Sequence, residues 1–252
     1  MLIDTHCHLD DPALLSRLPE VLAAAAQAGV ARIVVPGVGP VGWPAIAALA
    51  RQAEGVYAAF GLHPMHAGLY AAGLLSDLAC KLPGAVAVGE IGLDYALPEV
   101  PREIQQEAFR GQVRLAVGQG LPVLIHCRRA FQDLLQILRE EGVERVGGVM
   151  HAFSGSPEVA GECVRLGLCI SVAGTVTYRN AVRPLEVVRS IPLEHLLLET
   201  DAPDMTPEPH RGMANEPAFL VETARKVAEI KGVTVEEVER VTTANAERLF
   251  RN

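Results

Sequence analysis

The strongest constraint in this sequence is a rhythm. Short runs rich in apolar and β-branched residues recur about every 30 residues, and each is followed by a longer stretch with helical character. The runs are Leu2–His6, Arg32–Pro36, Val56–Leu62, Ala85–Ile91, Pro122–Cys127, Val146–His151, Leu168–Val172 and His195–Asp201, eight in all. Strands apolar on both faces must be covered on both sides, which a parallel sheet clothed in helices achieves. The chain has 252 residues, half of them apolar, and no linker or change of composition divides it. It can therefore bury one large core. The expected architecture is α/β: a single-domain (β/α)8 TIM barrel spanning 1–252. A doubly wound open sheet would favour a Gly-rich phosphate turn after the first strand, and His6-Cys7-His8-Leu9-Asp10 is no such turn.

Helix punctuation agrees with this reading. Pro19 opens a helix over Glu20–Ala28 and Gly29 closes it. A second is expected over Arg102–Val117, a third from about Pro217 to Gly232, and Thr234 with Glu237 has the spacing of a capping box for one more.

Polar residues collect where these apolar runs stop. His6 and His8 end the first, His63 follows the third, Glu90 ends the fourth, His126 the fifth, His151 the sixth and Asp201 the eighth. In a barrel all C-terminal strand ends open on one face, so these groups would share one pocket. Taken singly each has a bland explanation: a chance His-x-His, a satisfied core histidine, a carboxylate held by backbone donors, a turn aspartate. Together they would be a costly gathering of polar groups unless cations used their lone pairs. Two divalent ions roughly 3.5–4 Å apart would do so. His6, His8 and Asp201 are assigned to one ion, His126 and His151 to the other, and Glu90 to both. A carbamylated lysine cannot be the bridge, because Lys81, Lys226 and Lys231 are the only lysines and none ends a strand. Imidazole with carboxylate suits zinc or manganese, and magnesium where oxygen dominates. A water on such ions becomes a hydroxide nucleophile near neutral pH, with Asp201 placed to orient it and shuttle its proton.

Six blocks carry a resemblance: Ile3-Asp4-Thr5-His6-Cys7-His8, Gly61-Leu62-His63-Pro64, Gly89-Glu90-Ile91-Gly92-Leu93-Asp94, Ile125-His126-Cys127-Arg128, His151-Ala152-Phe153-Ser154-Gly155 and Glu199-Thr200-Asp201-Ala202-Pro203. In order and spacing, and with Arg211-Gly212 and Asn215-Glu216-Pro217 after the last run, the chain resembles the TatD family of metal-dependent deoxyribonucleases along nearly its whole length. The resemblance implies a two-metal TIM barrel that hydrolyses phosphodiesters, commonly from a 3′ end, with proton handling at Asp201. One departure is Tyr95-Ala96-Leu97, where many members place a second aromatic. The second enzyme class that this ligand set allows is an amidohydrolase-type esterase, lactonase or deaminase acting on a small or nucleotide-linked substrate, since the same hydroxide attacks a carbonyl carbon equally well.

Around the ligands, Arg128 could grip a phosphate bidentately. His63 could contact it, and Ser154 with Gly155 could offer hydroxyl and backbone donors. Against 30 acidic residues stand only 22 Lys and Arg, a net charge of -8, so DNA or an oligonucleotide would be held locally and not by a broad basic surface. Aromatic residues at 4% leave little for a long stacking platform. The five cysteines form no CxxC pair, no basic and apolar leader opens the chain, and no run approaches the roughly 18 apolar residues of a membrane span. Those features predict reduced thiols in a soluble cytoplasmic protein with no membrane association and no obligatory protein partner.

Overall fold

The computed structural model describes residues 1–250. Its strands are β1 (Leu2–Asp4), β2 (Val30–Gly37), β3 (Val56–Phe60), β4 (Ala87–Asp94), β5 (Val123–Arg128), β6 (Gly148–Met150), β7 (Leu168–Val172) and β8 (Leu196–Leu198). They pair in parallel in the order β1 to β8. Isolated contacts join the two ends: Thr5 N donates to Leu198 O (3.1 Å), Asp201 N to His6 O (2.9 Å), and the Asp4 carboxylate accepts from Thr200 N and Oγ1. The sheet is thus the expected (β/α)8 TIM barrel.

Helices α1 (Pro12–Leu15), α2 (Leu18–Gln27), α3 (Trp43–Gln52), α4 (Ala72–Lys81), α5 (Arg102–Gln119), α6 (Phe131–Glu141), α7 (Pro157–Arg165), α8 (Arg183–Ser190), α9 (Leu220–Lys231) and α10 (Val235–Phe250) cover the outside. The strands alternate between two cores. Residues such as Ile33, Val35, Val88, Ile91, Ile125 and Ile170 pack outward beneath the helices. Ile3, Val34, Ala59, Ala87, Leu124, Val149, Cys169 and Leu197, one from each strand, meet in a second cluster on which Ala246 and Phe250 of α10 pack. The helix signals hold to within two or three residues. Pro19 sits in the first turn of α2, Gly232 caps α9 in the left-handed region, and Glu237 N donates to Thr234 Oγ1 at 3.2 Å. Among the described residues no helix is long and apolar enough to cross a membrane.

Strand ends differ from the sequence reading in a way that matters for the site. The β1 ladder stops at Asp4, two residues early, because its side chain takes bonds that a neighbouring strand would have made. β3 stops at Phe60 and not Leu62, while β4 continues past Glu90 to Asp94. Glu90 is therefore inside a strand and not at its end. It reaches the barrel mouth through a bulge: Val88 pairs with Val123 but Ile91 with Ile125, which puts one extra residue into β4.

Candidate metal centre

Glu90 is the hub. Its carboxylate is almost fully buried, and its two oxygens face different groups of histidines. Oε2 lies 3.4 Å from His6 Nε2 and 3.9 Å from His8 Nε2, and both imidazoles also face Asp201 Oδ1, at 3.7 and 3.6 Å. Oε1 lies 3.0 Å from His151 Nε2, 3.2 Å from His126 Nδ1 and 3.5 Å from His63 Nε2. Residues from six separate stretches of chain thus converge, as the barrel reading required.

The backbone around the hub leaves no spare room. A Cβ on Gly61 would stand 2.8 Å from Glu90 O, and one on Gly89 would stand 2.4 Å from Leu124 Cβ. Asp201 occupies the left-handed region (φ 55°), unusual for a residue with a side chain. Its N–H on His6 O and its carbonyl, which accepts from Asp204 N, pin it there.

Outer partners set which nitrogen of each ring faces inward. Asp94 Oδ2 lies 3.2 Å from His126 Nε2, so that nitrogen carries the proton and the Nδ1 lone pair is turned to Glu90. Fully buried Glu199 faces His151 Nδ1 at 3.6 Å and accepts from Ala152 N, which leaves His151 Nε2 turned inward. His63 is the opposite case. Its Nδ1 accepts from Met65 N at 3.2 Å, so its neutral ring keeps the proton on Nε2 and presents a donor to the site.

The electrostatics follow from this crowding. Burial alone would raise the Glu90 carboxyl, but His151, His63 and His6 hold it well below the usual carboxylate range. His151 is pushed the other way from its burial, well above an ordinary imidazole, by Glu90 and Glu199. Burial takes His63 down to about 4, and the fully buried His6 is lowered too, by burial and by the charge of His151. Asp201 is raised by burial.

This donor set fits a divalent cation. Both ring nitrogens of His6, His151 Nδ1 and Glu199 Oε2 are buried with no hydrogen-bond partner among the described residues. Each such atom costs roughly 1–3 kcal/mol unless something takes its lone pair or proton. Three clusters bring possible ligand atoms together: His6 with His8 and Glu90, His6 with His151 and Glu199, and Glu90 with His126 and His63, where His63 contributes its Nε2–H donor and not a lone pair.

Above the hub opens a cleft of about 440 Å³, lined by His8, His63, Glu90, His126, Arg128, His151, Ser154 and Asp201 among others. His8, His63, Glu90, His126, Arg128, His151, Ser154 and Asp201, all expected from the sequence, border this cleft, whereas His6 is fully buried and does not line it. Arg128 has no carboxylate within ion-pair distance among the described residues, whereas Arg179 pairs with Glu208 and Arg211 lies over the Tyr178 ring. Cys7 is buried in the core, and Cys127, only partly buried, touches the cleft. The sequence reading missed Asp94 and Glu199 as partners of histidines. Both stand where an apolar run stops, the same signal that found the inner residues.

A sequence model described as TatD related DNase matches residues 3–251. The chain belongs to this family. Among relatives, the TatD-family chain is 43% identical over 254 residues to an uncharacterized metal-dependent hydrolase, YabD of Bacillus subtilis, covering 100% of this chain and 99% of that protein. It is 35% identical to human deoxyribonuclease TATDN3, covering 99% and 94%. The crystal structure of the TatD homologue YjjV from Escherichia coli superposes with a TM-score of 0.94 at 37% identity, covering 100% and 98%. The family is one of metal-dependent hydrolases that includes a deoxyribonuclease, and its barrel is the one seen here.

Proposed function

We propose that this protein is a deoxyribonuclease that removes nucleotides from the 3′ end of short or single-stranded DNA, using two divalent cations. The observation that carries the proposal is the division of Glu90: one oxygen lies toward His6 and His8, whose rings also face the Asp201 carboxylate, and the other toward His126 and His151. His6, His8, Asp201 and Glu90 would hold one ion, and His126, His151 and Glu90 the second, with magnesium, manganese and zinc all compatible with the donors. When bound, such ions supply positive charge that acidifies water and offsets charge on a phosphoryl oxygen.

The chain's own residues supply the rest. Asp201, raised by burial, takes a proton from the attacking water at its carboxylate. His63 donates from Nε2–H to a phosphoryl oxygen, and Arg128, with no carboxylate in ion-pair distance among the described residues, pairs with the same phosphate. Ser154 also lines the cleft, where its hydroxyl can donate. Water oxygen bonds to phosphorus, the bond from phosphorus to the preceding 3′ oxygen breaks, and that oxygen leaves with the proton that Asp201 took from the water. A cleft of this size takes about one nucleotide, which suits a chain end held locally by an acidic protein. Five free cysteines suit the reducing cytoplasm in which we place it.

Purified protein with Mg2+ or Mn2+ should shorten a 3′-exposed oligonucleotide and cleave bis(p-nitrophenyl) phosphate, and chelator, Glu90→Gln or Asp201→Asn should abolish both. Metal-dependent cleavage of p-nitrophenyl acetate with both phosphodiesters left intact would overturn the DNA assignment in favour of an amidohydrolase-type esterase.

A further inference from the structure

We infer that two glutamines on the outer helix α5, Gln105 and Gln112, are positioning residues that set the site's two kinds of imidazole independently. This rests on the site proposed above.

β3 and β4 pair only at Ala59 with Ala87 and Phe60 with Val88; beyond that the seam between them opens. Main-chain groups facing the seam then need other partners. His63 N turns to Val38 O, just past the end of β2, so the preceding residue, Leu62, faces the seam. Tyr95 N turns to Arg128 O on β5, so Asp94 faces the seam from the other side. α5 fills the gap. Gln112 Oε1 accepts from Leu62 N (2.7 Å) and its Nε2 donates to Leu62 O (3.1 Å). Gln105 Oε1 accepts from Asp94 N (2.8 Å) and its Nε2 donates to Asp94 O (3.0 Å). Both side chains are 1% exposed. Seven residues apart, they stand two turns apart on one helix face. Each amide gives that residue one donor and one acceptor, as a neighbouring strand would, and its Nε2 donates a second time, to Val100 O from Gln105 and to Ala108 O from Gln112.

The residues gripped lead straight to the site. Leu62 precedes His63, whose Nε2–H points at Glu90 Oε1. Asp94 holds His126 Nε2 through its carboxylate, whose other oxygen accepts from Ala96 N at 2.9 Å. Gln112 therefore acts on the substrate-facing donor and Gln105 on a cation-facing lone pair. The clamps have separable consequences.

The test uses Gln105→Met and Gln112→Met, which keep length and apolar volume but remove the amide. Long-range 1H–15N spectra of the metal-free protein read the proton position on each imidazole, and Mn2+ titration calorimetry reads cation affinity. Gln105→Met should broaden or shift the His126 ring signals and weaken Mn2+ binding about 10- to 100-fold, the usual cost of losing an outer partner. Gln112→Met should disturb His63 alone, leave Mn2+ affinity within about twofold and raise the KM for bis(p-nitrophenyl) phosphate with little change in kcat. Should either variant fail to fold, Gln105→Glu or Gln112→Glu, which keeps the acceptor but not the donor, should shift the same ring in the same direction. Folded variants with unaltered ring signals, or with both rings moved alike, would overturn the inference. A protein inactive on DNA whose ring signals and Mn2+ affinity nonetheless respond in this pattern would overturn the substrate assignment and leave the clamps standing.

Discussion

Gly92→Ala should damage the fold and the site together. Gly92 lies in β4 directly opposite His126 of β5, with φ +151°, a conformation that residues with a side chain rarely adopt. A Cβ there would stand 1.9 Å from His126 O, 2.8 Å from its carbonyl carbon and 3.0 Å from its amide nitrogen. All three are backbone atoms inside a sheet, so no side chain can swing aside; the two strands must part by more than about 1 Å, and close-packed interiors resist that. Overpacking costs roughly 1–3 kcal/mol and the backbone conformation roughly 1–2 kcal/mol more, together about 2–5 kcal/mol. For a domain of this size each kcal/mol lowers Tm by about 2–4 °C, so a fall of roughly 10 °C is expected in thermal unfolding followed by circular dichroism. Because the residue pushed away is His126, Mn2+ affinity should fall at least about tenfold in the fraction that still folds. A variant with Tm within about 2 °C of the parent and unchanged Mn2+ affinity would refute the claim that β4 and β5 are held at glycine distance to seat that imidazole.

Gly118→Ala is the converse case. Gly118 is exposed within α5 with nothing within 4 Å of the added carbon, so helix propensity should stabilise the protein by roughly 0.5–1 kcal/mol, measured as a higher urea midpoint. Glu141 clamps α6 to α5 through Arg110 Nη1 at 2.5 Å and Arg114 Nε at 2.6 Å. Burial would raise its carboxyl, but Arg114 and Arg110 hold it below the ordinary 4.5. A carboxylate lowered on folding stabilises above its unfolded pKa and ceases to as pH falls through the folded value. Glu141→Gln should therefore cost about 1 kcal/mol at pH 7, modest because the arginines are partly exposed, and the gap in urea midpoint should close below pH 4.5. Arg128→Ala should raise the KM for a phosphodiester about 10- to 100-fold, the worth of a charged hydrogen bond or two, while p-nitrophenyl acetate hydrolysis barely moves; an equal loss on both substrates would remove Arg128 from phosphate recognition.

The fold was legible because its signal is repetitive: eight apolar runs with helical intervals admit few closures, and one strand, Leu168–Val172, agrees at both ends. The inner residues were legible for a related reason, since a barrel converts the end of an apolar run into a place in space. What escaped was local geometry. Glu90 reads as a strand end, but β4 runs on to Asp94 and a bulge turns the carboxylate inward, and single-residue insertions leave no mark in apolar periodicity. Gln105 and Gln112 fall inside the helix expected over Arg102–Val117, where nothing in the sequence sets them apart; only the open seam between β3 and β4 gives them work. The proton position on His63 depends on one backbone N–H, that of Met65, and no sequence pattern specifies it.

Anomalous diffraction from crystals of the protein equilibrated with millimolar Mn2+ tests the central claim most directly. Two peaks are expected on either side of the Glu90 carboxylate, one among His6, His8 and Asp201 and one beside His126 and His151. A map with no peak there, or with manganese only on surface carboxylates, would contradict the claim that these side chains are gathered to hold cations.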